Sequence, residues 1–158
     1  MKLLIEIPKS KEIQLSKVSP VYNELIDYFI NSPSNECIIL TPMTGSEYTN
    51  LESMMKSKNV KICTYSQLEK ILNANLFIPD IAFSINFENN NLIHWRNTFK
   101  IFFPISVLIH DILTATDIEK IAEFKSYSSD LDTFVCNSKI TQEKIIKLDI
   151  PKSQTTVI

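Results

Sequence analysis

The sequence ISVLI at residues 105–109 decides the fold of this chain. Four of its five residues are aliphatic, and Pro104 precedes it. A short and almost wholly apolar segment is typical of a parallel strand that is covered on both of its faces. Similar apolar segments recur along the whole length of the chain, at residues 2–7, 36–40, 60–63, 80–85, 133–136 and 155–158.

Segments of helical periodicity separate these predicted strands. They span residues 20–30, 46–58, 66–73, 116–127 and 138–148. Residues 92–99 are predicted to form either a helix or an irregular stretch. Ser66 followed by Glu69 predicts a capping box, and Ile140, Ile145 and Leu148 are expected to face the core. The alternation contains no Asn-Gly or Asp-Gly hairpin turn, so right-handed crossovers are expected. The predicted fold class is therefore α/β, a Rossmann-like doubly wound parallel sheet in one domain over residues 1–158.

The composition excludes several classes of function. A content of 44% hydrophobic and 22% charged residues is that of a globular protein, and a net charge of −2 with scattered basic residues argues against a nucleic-acid platform. Gly45 is the one glycine, which excludes Gly-rich phosphate loops. Cys37, Cys63 and Cys136 are widely spaced, so neither a disulfide framework nor a metal site is expected. We expect a reducing, cytoplasmic location instead. No apolar run is long enough to cross a bilayer.

Candidate ligand-binding residues follow the predicted strands, because ligands of a parallel sheet bind beyond the carboxyl ends of its strands. These positions offer a hydroxyl, a bare backbone, an amide, an imidazole and a carboxylate. The residues are Thr44, Gly45, Asn86, His110, Asp111 and Ser138.

Each of these residues also has a purely structural interpretation. Gly45 is explained by a turn, and Ser138 by the N-cap of the helix that follows it. His110 is either part of a binding site at the end of a buried strand or a structural residue whose ring is hydrogen-bonded to a backbone carbonyl. If His110 is structural, Asp111 is a turn residue.

Four segments together resemble a known family. They are PISVLIHD at 104–111, DTFVCNS at 132–138, IPK at 150–152 and TTVI at 155–158. In this order they resemble the N-terminal domain of GT-B-type glycosyltransferases of the retaining, nucleotide-sugar-dependent group. In that family a strand that ends in serine is followed by a helix, a Gly-Ile-Pro turn and a Val-Ile strand. Here Asp149 stands where the family commonly has the glycine.

The resemblance implies transfer of a hexosyl group from a nucleotide sugar to a carbohydrate or lipid-linked acceptor. This domain would contribute the acceptor side of the cleft, without a cofactor. The C-terminal donor-binding domain is absent from the chain, so the chain alone is expected to be inactive. By the resemblance, His110 would contact the donor sugar as the catalytic residue. The implied location is cytoplasmic, either free or peripheral to a membrane.

Two departures keep an alternative open. Residues 8–10, PKS, stand where a Gly-rich loop often follows the first strand of the family, and no two glutamates lie eight positions apart. The alternative is a stand-alone flavodoxin-like or receiver-like module that binds a ligand or a partner without catalysis. Asp111 and Lys139 favour a receiver, whereas the lack of an acidic pair after the first strand opposes it.

Overall fold

The computed structural model describes residues 1–7, 24, 27–28, 30–42, 44–55, 60–85, 91–109 and 115–158. The strands are β1 Lys2–Glu6, β2 Glu36–Leu40, β3 Val60–Cys63, β4 Ile81–Ile85, β5 Ile105–Ile109, β6 Thr133–Cys136 and β7 Thr155–Val157. The helices between them are α1 Ser46–Met55, α2 Tyr65–Asn73, α3 Asn91–Phe99, α4 Ala115–Tyr127 and α5 Lys139–Ile146.

All seven strands form one sheet in the order β3-β2-β1-β4-β5-β6-β7. Every neighbouring pair is parallel. The strand order runs one way from β1 to β3 and the other way from β4 to β7, which is the pattern of a doubly wound sheet. The prediction of a Rossmann-like α/β fold is thus confirmed.

Apolar side chains cover the sheet on both faces. On one face Leu68, Leu92, Phe124 and Ile145, from α2 to α5, form the larger core cluster. On the other face Leu51 of α1 packs in a second cluster. All five residues of β5 are buried, as expected of an interior parallel strand.

The elements agree with the predicted ones to within about two residues at most boundaries. The predicted capping box is wrong in its residues: the N-cap is Thr64, and its reciprocal partner is Gln67. The helix predicted over residues 20–30 falls mostly outside the described residues.

One helix face also differs from the prediction. Ile140 was expected to face the core, yet its side chain is 68% exposed, while Thr141 is fully buried. Ile145 is buried as predicted. Thr141 lies inside because its backbone N–H and its hydroxyl bond to Ser138 and Asn137 at the start of α5.

No helix among the described residues is long and apolar enough to span a membrane.

Candidate functional site

The switch point of the sheet, where the strand order reverses, lies between β1 and β4. In doubly wound folds the ligand crevice lies beyond the carboxyl ends of the strands at this point. Glu6 is the last residue of β1, and its Cα partner on β4 is Ser84. Both side chains are buried, with exposed fractions of 1% and 5%. The switch point therefore holds two buried polar side chains in a sheet whose interior is otherwise largely apolar.

The Glu6 carboxylate accepts two short hydrogen bonds. Tyr65 Oη donates to Oε1 at 2.7 Å, and Ser84 Oγ donates to Oε2 at 2.6 Å. Such bonds to a carboxylate are shorter and stronger than bonds between neutral groups, and they offset part of the free energy that burial of a charge costs. Glu6, Tyr65 and Ser84 are called the Glu6 cluster below.

The start of α2 places Tyr65 over the switch point. Thr64 caps the helix in an extended conformation, its side chain accepts from Gln67 N, and Gln67 Oε1 accepts from Thr64 N at 2.9 Å. Tyr65 is the first residue of α2, and its ring packs against Trp95 of α3 with 5.8 Å between the ring centroids. The capping box and the aromatic contact together orient the Tyr65 hydroxyl towards β1.

Chemically, the Glu6 cluster is a group of oxygen acceptors around one carboxylate. A Tyr or Ser hydroxyl has one proton to donate, and in both residues that proton points to Glu6. The arrangement holds the buried carboxylate between two hydroxyl donors.

Thr44 and Gly45 lie between β2 and α1, and Thr44 is exposed. The φ of Gly45 is +63°, a left-handed conformation that favours glycine. A Cβ atom built on Gly45 would meet no atom within 4 Å. The backbone conformation thus accounts for this glycine as part of a turn, and a ligand role for Thr44 and Gly45 stays a prediction.

Ser138 is the N-cap of α5. Its Oγ accepts a hydrogen bond from Thr141 N at 3.1 Å, which is the ordinary role of a capping serine. β2 and β6 are four strand spacings apart, about 19 Å at about 4.8 Å each. The structure therefore does not bring Ser138 together with Thr44 and Gly45, and a ligand role for Ser138 also stays a prediction.

Asn86, His110 and Asp111 lie outside the described residues. The strands that precede them, β4 and β5, are neighbours in the sheet. Their assignment to the site, His110 as the catalytic residue included, remains a prediction.

The three cysteines are buried free thiols. Burial raises the pKa of Cys37 to about 12 and that of Cys136 to about 11. It also raises the pKa of Cys63, an effect that nearby Lys61 partly opposes. Since the thiolate is the nucleophile and the metal ligand, these residues act as small core side chains. In the described part of the chain no group of three His, Cys, Asp or Glu residues could hold a metal ion.

Sequence reasoning missed the Glu6 cluster. One feature of the sequence could have indicated Glu6: a carboxylate inside the apolar run LLIEI at residues 3–7. Because a parallel strand is buried on both faces, a charge there needs partners or a ligand. Nothing local pairs it with Tyr65, 59 residues away, or with Ser84, 78 residues away.

Comparison with known proteins yields one curated relative. The human protein "Ras-GEF domain-containing family member 1A" is 31% identical over 104 residues, which cover 66% of this chain. The aligned stretch is 20% of that protein, so the chain spans about a fifth of the relative's length. No family model and no solved structure matches the sequence.

Proposed function

We propose that this chain is the N-terminal, acceptor-side domain of a GT-B-type glycosyltransferase. The complete enzyme would move a sugar from a nucleotide-sugar donor to a carbohydrate or lipid-linked acceptor, with the donor held by a second domain. The two domains would close over the carboxyl edge of this sheet and exclude water from the reacting sugar.

The observation that carries the proposal is the backbone at Asp149. Its φ is +61°, in the left-handed region that favours glycine. Asp149 occupies the position where the resembling family commonly has glycine, directly before Ile150 and Pro151. The chain then passes through a short 3-10 turn, Lys152–Gln154, into β7, which pairs with β6. The conformation that explains the family's glycine is thus present here although the glycine is not.

The distribution of charge supports binding of the donor and of the acceptor by two different domains. Departure of a nucleoside diphosphate develops negative charge that cations or helix N-termini must stabilise. Arg96, the one arginine of the sequence, is bound to Asp132 at the amino ends of the strands. The Glu6 cluster lies at their carboxyl ends. The proposal therefore assigns the diphosphate to the other domain and the acceptor to this one.

Neither a receiver-like module nor a function in nucleotide exchange has comparable support. Where a receiver needs an acidic pair after its first strand, the described residues place one buried carboxylate, Glu6, at the end of β1. The name of the human relative mentions a Ras-GEF domain but does not say whether the aligned fifth of that protein contains it. Nucleotide exchange is therefore not transferred to this chain.

The test is a transfer assay on the protein encoded by the complete reading frame. Radiolabelled UDP- and GDP-sugars are offered with carbohydrate and lipid-linked acceptors, and the expected result is a labelled acceptor. The reading frame is also expected to encode a second domain with two glutamates eight positions apart. Absence of transfer together with absence of such a domain would contradict the proposal.

A further inference from the structure

We propose that the open cavity between α3 and α4, at the amino ends of β5 and β6, binds a small aromatic carboxylate. Phe102 and Tyr127 would contact the ring of the ligand, and Lys100 would pair with its carboxylate. The cavity lies at the opposite end of the strands from the edge over which the two domains of the proposed enzyme would close. It is therefore a second site, and the inference does not rest on the proposed function.

The cavity is large enough to hold a small molecule. Its volume is about 670 Å³, and ligand pockets commonly measure roughly 300–1,000 Å³. Its walls are the carboxyl ends of α3 and α4 and the segments that lead from these helices into β5 and β6. Because the cavity is open to solvent on one side, we expect weak binding.

Two aromatic side chains of the cavity are available to a ring. Phe102 is 55% exposed and Tyr127 is 49% exposed, and both line the cavity. The guanidinium carbon of Arg96 lies 5.8 Å from the centroid of the Phe102 ring, and the ring of His94 lies 5.6 Å from that of Tyr127. Each ring is thus positioned by a neighbour and still presents about half of its surface, which favours contact with a flat aromatic ligand.

Lys100 is the cation of the cavity that a ligand can use. It is exposed, and in the described part of the chain it makes neither an ion pair nor a hydrogen bond. The other cation, Arg96, uses all four N–H groups of its Nη atoms on Asp132 and on two backbone carbonyls. None of the residues that line the cavity carries a carboxylate. The lining therefore has one positive charge that an anionic group can balance.

A carboxylate fits this charge better than a phosphate does. Both helices end at the cavity, and the carboxyl end of a helix carries a partial negative charge. One lysine balances the single charge of a carboxylate, whereas a phosphate monoester carries about 1.5 to 2 negative charges at neutral pH. The amide of Asn97 also lines the cavity and can donate a second hydrogen bond to a carboxylate oxygen.

The test follows the backbone amide NMR signals of the 158-residue chain during titration with small molecules. Phenylacetate and benzoate should shift the signals of residues 97–102 and 126–130, with dissociation constants of about 1–10 mM. Acetate lacks the ring, and phenylacetamide lacks the charge. Both should bind about tenfold more weakly than phenylacetate, and so should phenyl phosphate.

Substitution of Lys100 tests the contact with the carboxylate. Lys100→Gln should weaken binding of phenylacetate about tenfold, because it removes the charge from the hydrogen bond. Lys70→Gln is the matched control, since Lys70 is an exposed lysine in the last turn of α2 and does not line the cavity. Lys100→Gly should weaken binding as well. It should also fold at least as stably as wild type, because the φ of Lys100 is +56°, in the region that favours glycine.

Substitution of Phe102 tests the contact with the ring. Phe102→Leu keeps an apolar side chain and should weaken binding of phenylacetate about threefold or more, since an aromatic pair is lost. Tyr28→Leu is the control, because Tyr28 is 74% exposed and does not line the cavity. Should Phe102→Leu fail to fold in a melting experiment, the two Lys100 variants still decide.

Four results would overturn the inference. They are equal binding of phenylacetate and phenylacetamide, equal binding of phenylacetate and acetate, signal shifts outside residues 97–102 and 126–130, and equal behaviour of Lys100→Gln and Lys70→Gln. Equal binding of phenyl phosphate would overturn the choice of a carboxylate. A pentapeptide that ends in phenylalanine carries the same two groups, and binding tenfold tighter than that of phenylacetate would identify the ligand as the end of a protein chain instead.

Discussion

Arg96 and Asp132 form a two-point ion pair inside the protein, with Nη1–Oδ1 at 2.7 Å and Nη2–Oδ2 at 2.8 Å. The same carboxylate accepts the backbone N–H groups of Ile105 and Ser129 at 2.8 and 2.7 Å. Asp132 is fully buried and Arg96 is 4% exposed. The pair therefore joins α3 to the amino ends of β5 and β6, and the arginine acts as a structural residue.

Replacing Arg96 by Met should lower the free energy of unfolding by about 3–5 kcal/mol, because it leaves a buried carboxylate without its counter-ion. Urea denaturation measures the change. The matched control is Lys125→Met, which removes a surface pair to Asp149 with 3.9 Å between the charged atoms and with exposed fractions of 42% and 92%. The control should change stability by about 0.5 kcal/mol or less. Equal effects of the two variants would show that the buried pair is not structural.

Asp149→Gly should raise the free energy of unfolding by about 0.5–1 kcal/mol, because the left-handed backbone at this position is strained for a residue with a Cβ atom. Lys147→Gly, two residues earlier at a φ of −65°, is the control. It should lower the free energy of unfolding by a similar amount, since glycine has no conformational advantage there. Thermal or urea unfolding of the two variants compares them directly. Destabilisation by Asp149→Gly would contradict the interpretation of this turn.

Stability should fall as pH rises from about 9 towards 12. Burial raises the pKa of Cys37 from 9.0 to about 12 and that of Cys136 from 9.0 to about 11. The folded state thus retains thiol protons that the unfolded state loses, so this stabilisation is complete below pH 9 and is lost as pH passes the raised values. Urea unfolding at a series of pH values measures the decline.

The same burial protects the thiols from reagents. At pH 9 iodoacetamide should label Cys37 and Cys136 slowly in the native chain and rapidly in urea, since the thiolate is the reacting form. Peptide mass spectrometry locates the label. Rapid native labelling of either cysteine would show that it is accessible and ionised.

In the complete protein, His110→Ala should lower the rate of sugar transfer by about 10²-fold or more, as loss of one positioned hydrogen-bond donor does in other enzymes. The melting temperature should stay close to that of wild type. His94→Ala is the control, because the only other histidine is about half exposed and pairs with Glu123 on the surface. Unchanged transfer by His110→Ala would assign that residue a structural role.

Much of the fold could be predicted because the relevant patterns are local. The apolar run at 105–109 indicated an interior parallel strand, and β5 is buried at all five positions. Ser138 was predicted as an N-cap from its place before a periodic segment, and it caps α5. A capping bond joins residues two or three positions apart, so sequence spacing is sufficient to find it.

The helix faces show where local patterns fail. Ile140 is exposed and Thr141 buried because the cap at Ser138 and Asn137 turns the polar residue inwards. Hydrophobicity alone favours the opposite arrangement. The hydrogen bonds determine which face of α5 is buried. Burial of a hydroxyl that has hydrogen-bond partners costs little free energy, and a single exposed isoleucine is common on protein surfaces.

The sequence by itself determined the order of strands and helices, the covered parallel sheet and the exclusion of phosphate loops, because each follows from short-range periodicity or composition. Only the tertiary structure decided which polar residues meet. Glu6, Tyr65 and Ser84 come from three elements far apart in the chain, and they converge because the crossover from β3 to β4 places β4 beside β1 with Glu6 opposite Ser84. Side chains brought together by such long-range register leave no periodic pattern in the sequence, so the candidate site appeared only once the sheet was assembled.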